Sequence, residues 1–190
     1  MQKSAKKHLE SFLAEDIKSG DITSKLLPRK KIIAHIISRE NGIIAGVQYA
    51  KEIFQSKNCR VIIHKKDGQS VRPNQKIITI IGDTYPILSC ERTALNLMSR
   101  MSGIASQTNT YVKKICATNT KVKLYSTRKT APGMRLFDKD AVVIGGGHRH
   151  RMSLDQMIMI KDNHIAVSDS LLDLIKHAKQ KHKKIEVEVE

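Results

Sequence analysis

The periodicity of the apolar residues changes at Glu91, and that change limits the possible folds more than any other feature of the chain. Before it come short runs rich in Ile and Val: "KIIAHIISRENG", "GIIAGV", "RVIIHKKDG" and "QKIITIIGD". Asn-Gly and Asp-Gly turns punctuate them, which is the pattern of short strands joined by tight reversals. "HKKDGQSVRPNQKIITIIG" reads as a polar hairpin returning into a buried strand. With Glu91 the spacing becomes helical. Leu95, Met98, Met101, Ile104 or Ala105, Thr108, Tyr111 or Val112, and Ile115 fall on one stripe of a long amphipathic helix. Core packing suffices to explain its methionines.

An earlier helix opens the chain, with Leu9, Phe12, Leu13 and Ile17 at helical spacing and Gly20 as its stop. Up to about residue 88 the reading is a small α+β domain dominated by antiparallel strands. After residue 120 the rhythm becomes strand, loop, helix, strand. "KVKLYS" reads as a strand, "DKDAVVIGGG" as a helix or turn, and "QMIMIK" as a strand. "SDSLLDLIKHAKQKHKK" reads as a helix capped by Ser168 or Ser170, and "IEVEVE" as a last strand. Strands alternating with helices imply parallel pairing in an α/β layer or barrel. In the last strand Glu186, Glu188 and Glu190 share one face. That fits either a solvent-exposed edge or a barrel lumen that meets a cation.

Composition narrows the function. The chain has 190 residues, and 34 Lys and Arg against 18 Asp and Glu give a formal charge of +16. Such a field attracts anions, whether nucleic acid, anionic lipid or phosphorylated small molecules. A nucleic-acid module would pair its cations with stacking aromatics. Here aromatics are 4% with no Trp, so that class is disfavoured. No apolar run of membrane-spanning length or signal peptide is seen, and the expectation is a soluble, cytoplasmic protein without a membrane partner. Cys59, Cys90 and Cys116 form no CxxC pair and suggest neither a disulfide framework nor a thiolate metal site. Cys116 continues the helical stripe and reads as core.

The basic residues that carry chemistry sit after the strands. Arg128 and Lys129 follow "KVKLYS", and Lys161 ends "QMIMIK". His148, His150 and Arg151 follow a glycine run, where backbone can come close to a bound group. In α/β sheets and barrels, ligands sit beyond the carboxyl ends of the strands, so these residues line one rim. Arginine forks match carboxylates and phosphates while lysine supplies a point charge. Together they imply a small, multiply anionic substrate. A zinc site from His148, His150 and His164 lacks a recognisable ligand spacing.

"ERTALNLMSRMSGIAS", "TRKTAPGMRL", "GGGHRHRMSL", "IKDNHI" and "IEVEVE", in this order, resemble the quinolinate phosphoribosyltransferase family (nicotinate-nucleotide pyrophosphorylase, carboxylating). "LAEDIKSGDITS" resembles that family's opening helix and turn. A molybdenum-transport-associated family shares "TRKT" and the helix motif but is not expected to carry "IKDNHI". The resemblance implies an α/β protein with three parts. These are an α/β (α+β) sandwich over residues 1–90, a long connecting helix over 91–116, and the first part of a TIM-like α/β barrel of type II phosphoribosyltransferases over 117–190.

It further implies transfer of phosphoribosyl from phosphoribosyl pyrophosphate to quinolinate with Mg2+, giving nicotinate mononucleotide, pyrophosphate and CO2. Arg128, His150 and Arg151 would hold the quinolinate carboxylates, and Lys129 and Lys161 would sit between quinolinate and donor. Glu188 would face the ribose or its metal. Arg92 would enter the site of a neighbouring subunit in a homodimer or a hexamer built as a trimer of dimers. Lys129, Lys161 and Glu188 are the expected catalytic residues. Family members run longer than this chain, so the expectation is a barrel truncated at its C-terminus and a polypeptide inactive by itself. "LFDKDAV" and "GGGHRHR" carry extra charge relative to the usual motifs, which leaves Asp138 and Arg149 either as surface residues or as groups that tune the site.

Overall fold

The structure, a computed structural model, describes residues 3–118, 121–168 and 170–190. It divides into two compact units: Met1–Ser126 with Thr130–Arg149, and Thr127–Lys129 with His150–Glu190. Among the described residues no helix is long and apolar enough to cross a membrane.

The first unit begins with helix α1, Lys3–Ile17, which buries Ala5, Leu9 and Leu13 along one face. Gly20 stops it as the sequence suggests. Its φ of +129° is open only to glycine at low cost, and its N–H donates to the Ile17 carbonyl at 2.7 Å. A three-stranded antiparallel sheet follows in the order β1–β5–β3, from β1 Lys31–Ile37, β3 Arg60–Ile63 and β5 Lys76–Asp83. The central β5 buries Ile77, Ile78, Thr79 and Ile80 in succession. Burying the Thr79 hydroxyl demands partners, and it lies 3.0 Å from His35 Nδ1 and 2.7 Å from His64 Nε2. The expected hairpin from β3 into β5 is present. Its middle, however, leaves the sheet: β4, Ser70–Val71, pairs instead with β2, Gly42–Ile43.

Helix α2, Val47–Gln55, was not legible as a helix among the strand-like runs. Val47, Ala50, Ile53 and Phe54 form its buried face. Its start is capped from a distance. Asp67, in the Asp-Gly turn twenty residues on, accepts from the Val47 N–H at 2.8 Å. Burial pushes the Asp67 carboxyl up, and those backbone N–H groups partly offset the rise.

The long helix α3 runs Thr84–Ala117 and so starts before Glu91. The Thr84 N–H and hydroxyl both donate to the Lys30 carbonyl, at 3.0 and 2.9 Å, and fasten this end to the start of β1. Ile87, Cys90, Ala94, Leu97, Met98, Met101, Ala105 and Thr108 form its buried stripe. Of the alternatives Tyr111 and Val112, Val112 is the half-buried one, while Cys116, expected in the core, is exposed. Cys59 and Cys90 are buried free thiols, and burial pushes Cys90 up to about 11, away from reactivity. α3 also satisfies buried backbone elsewhere. Its Ser106 and Ser102 hydroxyls accept from the N–H groups of Ile43 and Ala45 at 2.8 and 2.9 Å.

Helix α4, Arg135–Ile144, packs Phe137 against Phe12 and Tyr49, with ring centroids 5.5 and 4.9 Å apart. Its Asp138 accepts from Arg100 of α3 at 2.7 and 2.9 Å. The expected strand "KVKLYS" contracts to one parallel bridge between Tyr125 and His148. The glycine run after α4 begins in tight packing. A Cβ on Gly145 would lie 2.4 Å from the Ala105 carbonyl oxygen and 2.7 Å from Thr108 Cβ.

In the second unit β6, Ile158–Ile160, pairs with β7, Val187–Val189. The pairing is parallel, as the alternation of elements implies. Between them lie α5, Asp162–Ile165, which the sequence reading did not resolve, and α6, Leu171–Lys181. Ser170 is the cap of α6, accepting from the Asp173 N–H at 3.3 Å. Asp169, also within the expected helical segment, is outside the described residues.

Ser102→Ala leaves the N–H of fully buried Ala45 without its acceptor and should destabilise the chain by about 1–3 kcal/mol in urea unfolding. Gly145→Ala must push α3 away from the loop after α4. A loss of at least about 1–3 kcal/mol in the same assay is expected, although Gly145 has an ordinary φ of −73°.

Candidate active site

The second unit gathers most of the cationic residues singled out in the sequence. The triplet Thr127–Lys129 groups with His150–Glu190 and not with the residues on either side of it. Arg128, Lys129, His150, Arg151, Lys161 and Glu188 therefore share one small unit. Parallel pairing explains part of this. With Ile160 opposite Val189, Lys161 and Glu190 leave the carboxyl ends of β6 and β7 side by side.

Each side chain has a definite setting. His150 Nε2 lies 2.8 Å from Glu188 Oε2. The Lys161 ammonium donates to Glu190 Oε2. That hydrogen bond, the Lys161 charge, and more weakly Lys129, hold the Glu190 carboxyl below its usual range. Both readings of "IEVEVE" are met in part: Glu186, Glu188 and Glu190 are all exposed, while Glu188 meets His150 and Glu190 meets Lys161. Arg151 braces its own loop, with Nη1 donating to the Met157 carbonyl at 2.9 Å and Nη2 lying 3.3 Å from Met159 Sδ. Arg128 is different. Its Nε is buried and, among the described residues, has no hydrogen-bond partner. A buried guanidinium N–H left unmatched is costly unless an acceptor arrives.

His164 spends Nδ1 accepting from the Lys161 backbone N–H at 2.9 Å, at the start of α5. Among the described residues no group of three His, Cys, Asp or Glu side chains could hold a metal ion.

Other candidates lie in the first unit. Arg92 is exposed on α3 and lines a cleft of ≈ 820 Å³ with His35, Arg39, Glu40, Glu91 and Asn96. Arg149 pairs with Asp140 Oδ1, while the Tyr49 hydroxyl donates to the other oxygen of that carboxylate. Burial, then this hydrogen bond, drives the Tyr49 pKa far up. The unusual charges of "LFDKDAV" and "GGGHRHR" are thus matched in pairs: Asp138 with Arg100, Asp140 with Arg149. Sequence reasoning missed Glu190 as a partner of Lys161. The alternation of "IEVEVE" was the available signal, but only the pairing register assigns the partner.

Comparison with known proteins identifies relatives of the whole chain. Residues 21–102 match the model of the quinolinate phosphoribosyl transferase N-terminal domain, and residues 104–190 that of its C-terminal domain. A probable nicotinate-nucleotide pyrophosphorylase (carboxylating) of Methanothermobacter thermautotrophicus is 39% identical over 187 residues, covering 96% of this chain and 67% of the relative. The Bacillus subtilis protein of the same description is 42% identical over 191 residues, covering 97% and 65%. The structure of the nicotinate-nucleotide pyrophosphorylase from Francisella tularensis superposes with a TM-score of 0.88 at 38% identity, covering 98% of this chain and 66% of that one. The Ehrlichia chaffeensis enzyme gives 0.90 at 35%, covering 98% and 69%. The chain spans about two thirds of the length of these relatives. On both domain models and this level of identity, the chain belongs to the quinolinate phosphoribosyl transferase family.

Proposed function

We propose that the chain serves the transfer of a phosphoribosyl group from phosphoribosyl pyrophosphate to quinolinate, with loss of CO2, yielding nicotinate mononucleotide and pyrophosphate for NAD synthesis. One observation carries the reading. Arg128 and Lys129, distant in sequence, join His150 and Lys161 in one unit, and Arg128 presents a buried N–H with no acceptor among the described residues. Such a group suits a ligand with several negative charges, and quinolinate brings two carboxylates to a donor that is itself polyanionic.

Within this proposal Arg128 and His150 hold the quinolinate carboxylates. Arg151 contributes its charge while its guanidinium steadies the loop. Lys129 and Lys161 lie between the two substrates and neutralise the departing diphosphate. The pyridine nitrogen bonds to the anomeric carbon as the bond to the diphosphate oxygen breaks and its electron pair leaves with that oxygen. Positive charge grows on the ribose meanwhile, so a carboxylate at Glu188 stabilises the transition state more than the ground state. The ring, now carrying a quaternary nitrogen, accepts the electron pair freed when the C2–carboxylate bond breaks, and a proton takes the place of CO2.

Mg2+ belongs to the proposal as a companion of the donor's diphosphate. Glu188 is the residue that would face the ion, which when bound would neutralise charge on the departing diphosphate. Within the same proposal Arg92, exposed on α3, reaches the site of a second copy of the chain in a homodimer or a trimer of dimers.

Arg128→Ala tests the assignment. Calorimetric titration with quinolinate should show affinity about thirtyfold lower or worse, the result of removing one partner of a desolvated charge pair worth roughly 2 kcal/mol or more. The melting temperature should hold. Unchanged affinity would contradict the role.

A further inference from the structure

Lys161 and Glu190 are placed by backbone, and only their side chains are left to choose partners. The Glu190 N–H donates to the Ile160 carbonyl at 2.9 Å, which keeps Glu190 in register beyond β7. The Lys161 N–H donates to His164, and the Lys161 carbonyl accepts from the N–H groups of His164 and Ile165 at 2.9 and 3.0 Å. The ammonium and carboxylate meet across this fixed frame with the two side chains 36% and 57% exposed. Two strand residues earlier, Glu188 occupies His150 in the same manner.

We propose that Glu190 is the internal counter-ion of Lys161, a carboxylate that any anion must displace before it can bind that lysine. The idea rests on the reading of this face as the anion site, and it assigns Glu190 a part in selecting ligands there. Without Glu190 the Lys161 ammonium would lack its carboxylate partner. With it, an incoming anion exchanges one ammonium–carboxylate hydrogen bond for another. A ligand with a single charge gains little from that exchange. A ligand with several gains attraction to Lys129, Arg128 and His150 as well. The cost is the same for every anion that uses Lys161, so weakly charged ones fall below useful affinity and polyanions remain. Glu190 thus acts through Lys161, as a specificity-determining residue that need not touch the substrate.

Because the pair is exposed, its strength is modest, and releasing Lys161 should tighten anion binding about two- to fivefold. The test is calorimetric titration of inorganic pyrophosphate into the 190-residue chain, at one fixed ionic strength, for wild type, Glu190→Gln, Lys161→Gln and the double variant. Glu190→Gln is expected to bind about two- to fivefold more tightly than wild type with an unchanged melting temperature. In the Lys161→Gln background the same substitution should change affinity little, since the coupling runs through that ammonium. Equal or weaker binding by Glu190→Gln overturns the proposal. So does an equal gain in both backgrounds, which would be the general effect of removing one negative charge. Failure of the wild type to bind pyrophosphate at all would instead remove the anion-site reading, and the counter-ion role with it.

Discussion

Arg128, Lys129, Arg151 and Lys161 carry like charge within one small unit, and mutual repulsion is the constraint around which that unit is arranged. Glu188 and Glu190 answer it. Both stand on β7, and the parallel register with β6 brings Glu190 beside Lys161 while Glu188 reaches His150. Arg151 is spent partly on its own loop. Among these cations Arg128 shows a buried donor with no acceptor among the described residues. An arrangement in which Lys161 is matched by an acid, and an Arg128 donor waits, is suited to exchanging an internal acid for an external polyanion.

The first unit manages polar groups by a different rule, supplying from one element what another lacks. α3 is its spine, and the stripe from Ile87 to Thr108 covers the sheet. The same helix lends Ser102 and Ser106 to the backbone around β2, while Asp67 lends its carboxylate to the start of α2. The close approach of Ala105 to Gly145 leaves no room for a side chain, which accounts for glycine there more directly than any ligand does. Asp140, held by Tyr49, fixes Arg149 at the point where the chain passes into the second unit.

Much of this was legible in the sequence because the signals were local and long. The helical stripes of α1 and α3, the antiparallel pairing of β1, β3 and β5, and the parallel β6 and β7 follow from periodicity and turn chemistry. Other features depended on distant partners and were not. The strand-like look of "GIIAGV" hid α2, whose start depends on a carboxylate twenty residues away. "KVKLYS" alternates like a strand, yet only Tyr125 finds a pairing partner among the described residues. Cys116 continues the apolar spacing of α3 after the surface it would pack against has ended, so it is exposed. The cationic rim was anticipated as residue types following strands. Its internal pairing, His150 with Glu188 and Lys161 with Glu190, needed the register of two strands that the sequence alone does not align.

The central claim is that residues 127–129 and 150–190 form one site for a polyanion. A crystal structure of the chain grown with quinolinate tests it most directly. The account predicts ligand density with one carboxylate accepting from the Arg128 guanidinium and the Lys161 ammonium turned from Glu190 toward the ligand. Quinolinate bound in the cleft beside Arg92, with Arg128 and Lys161 untouched, would contradict it.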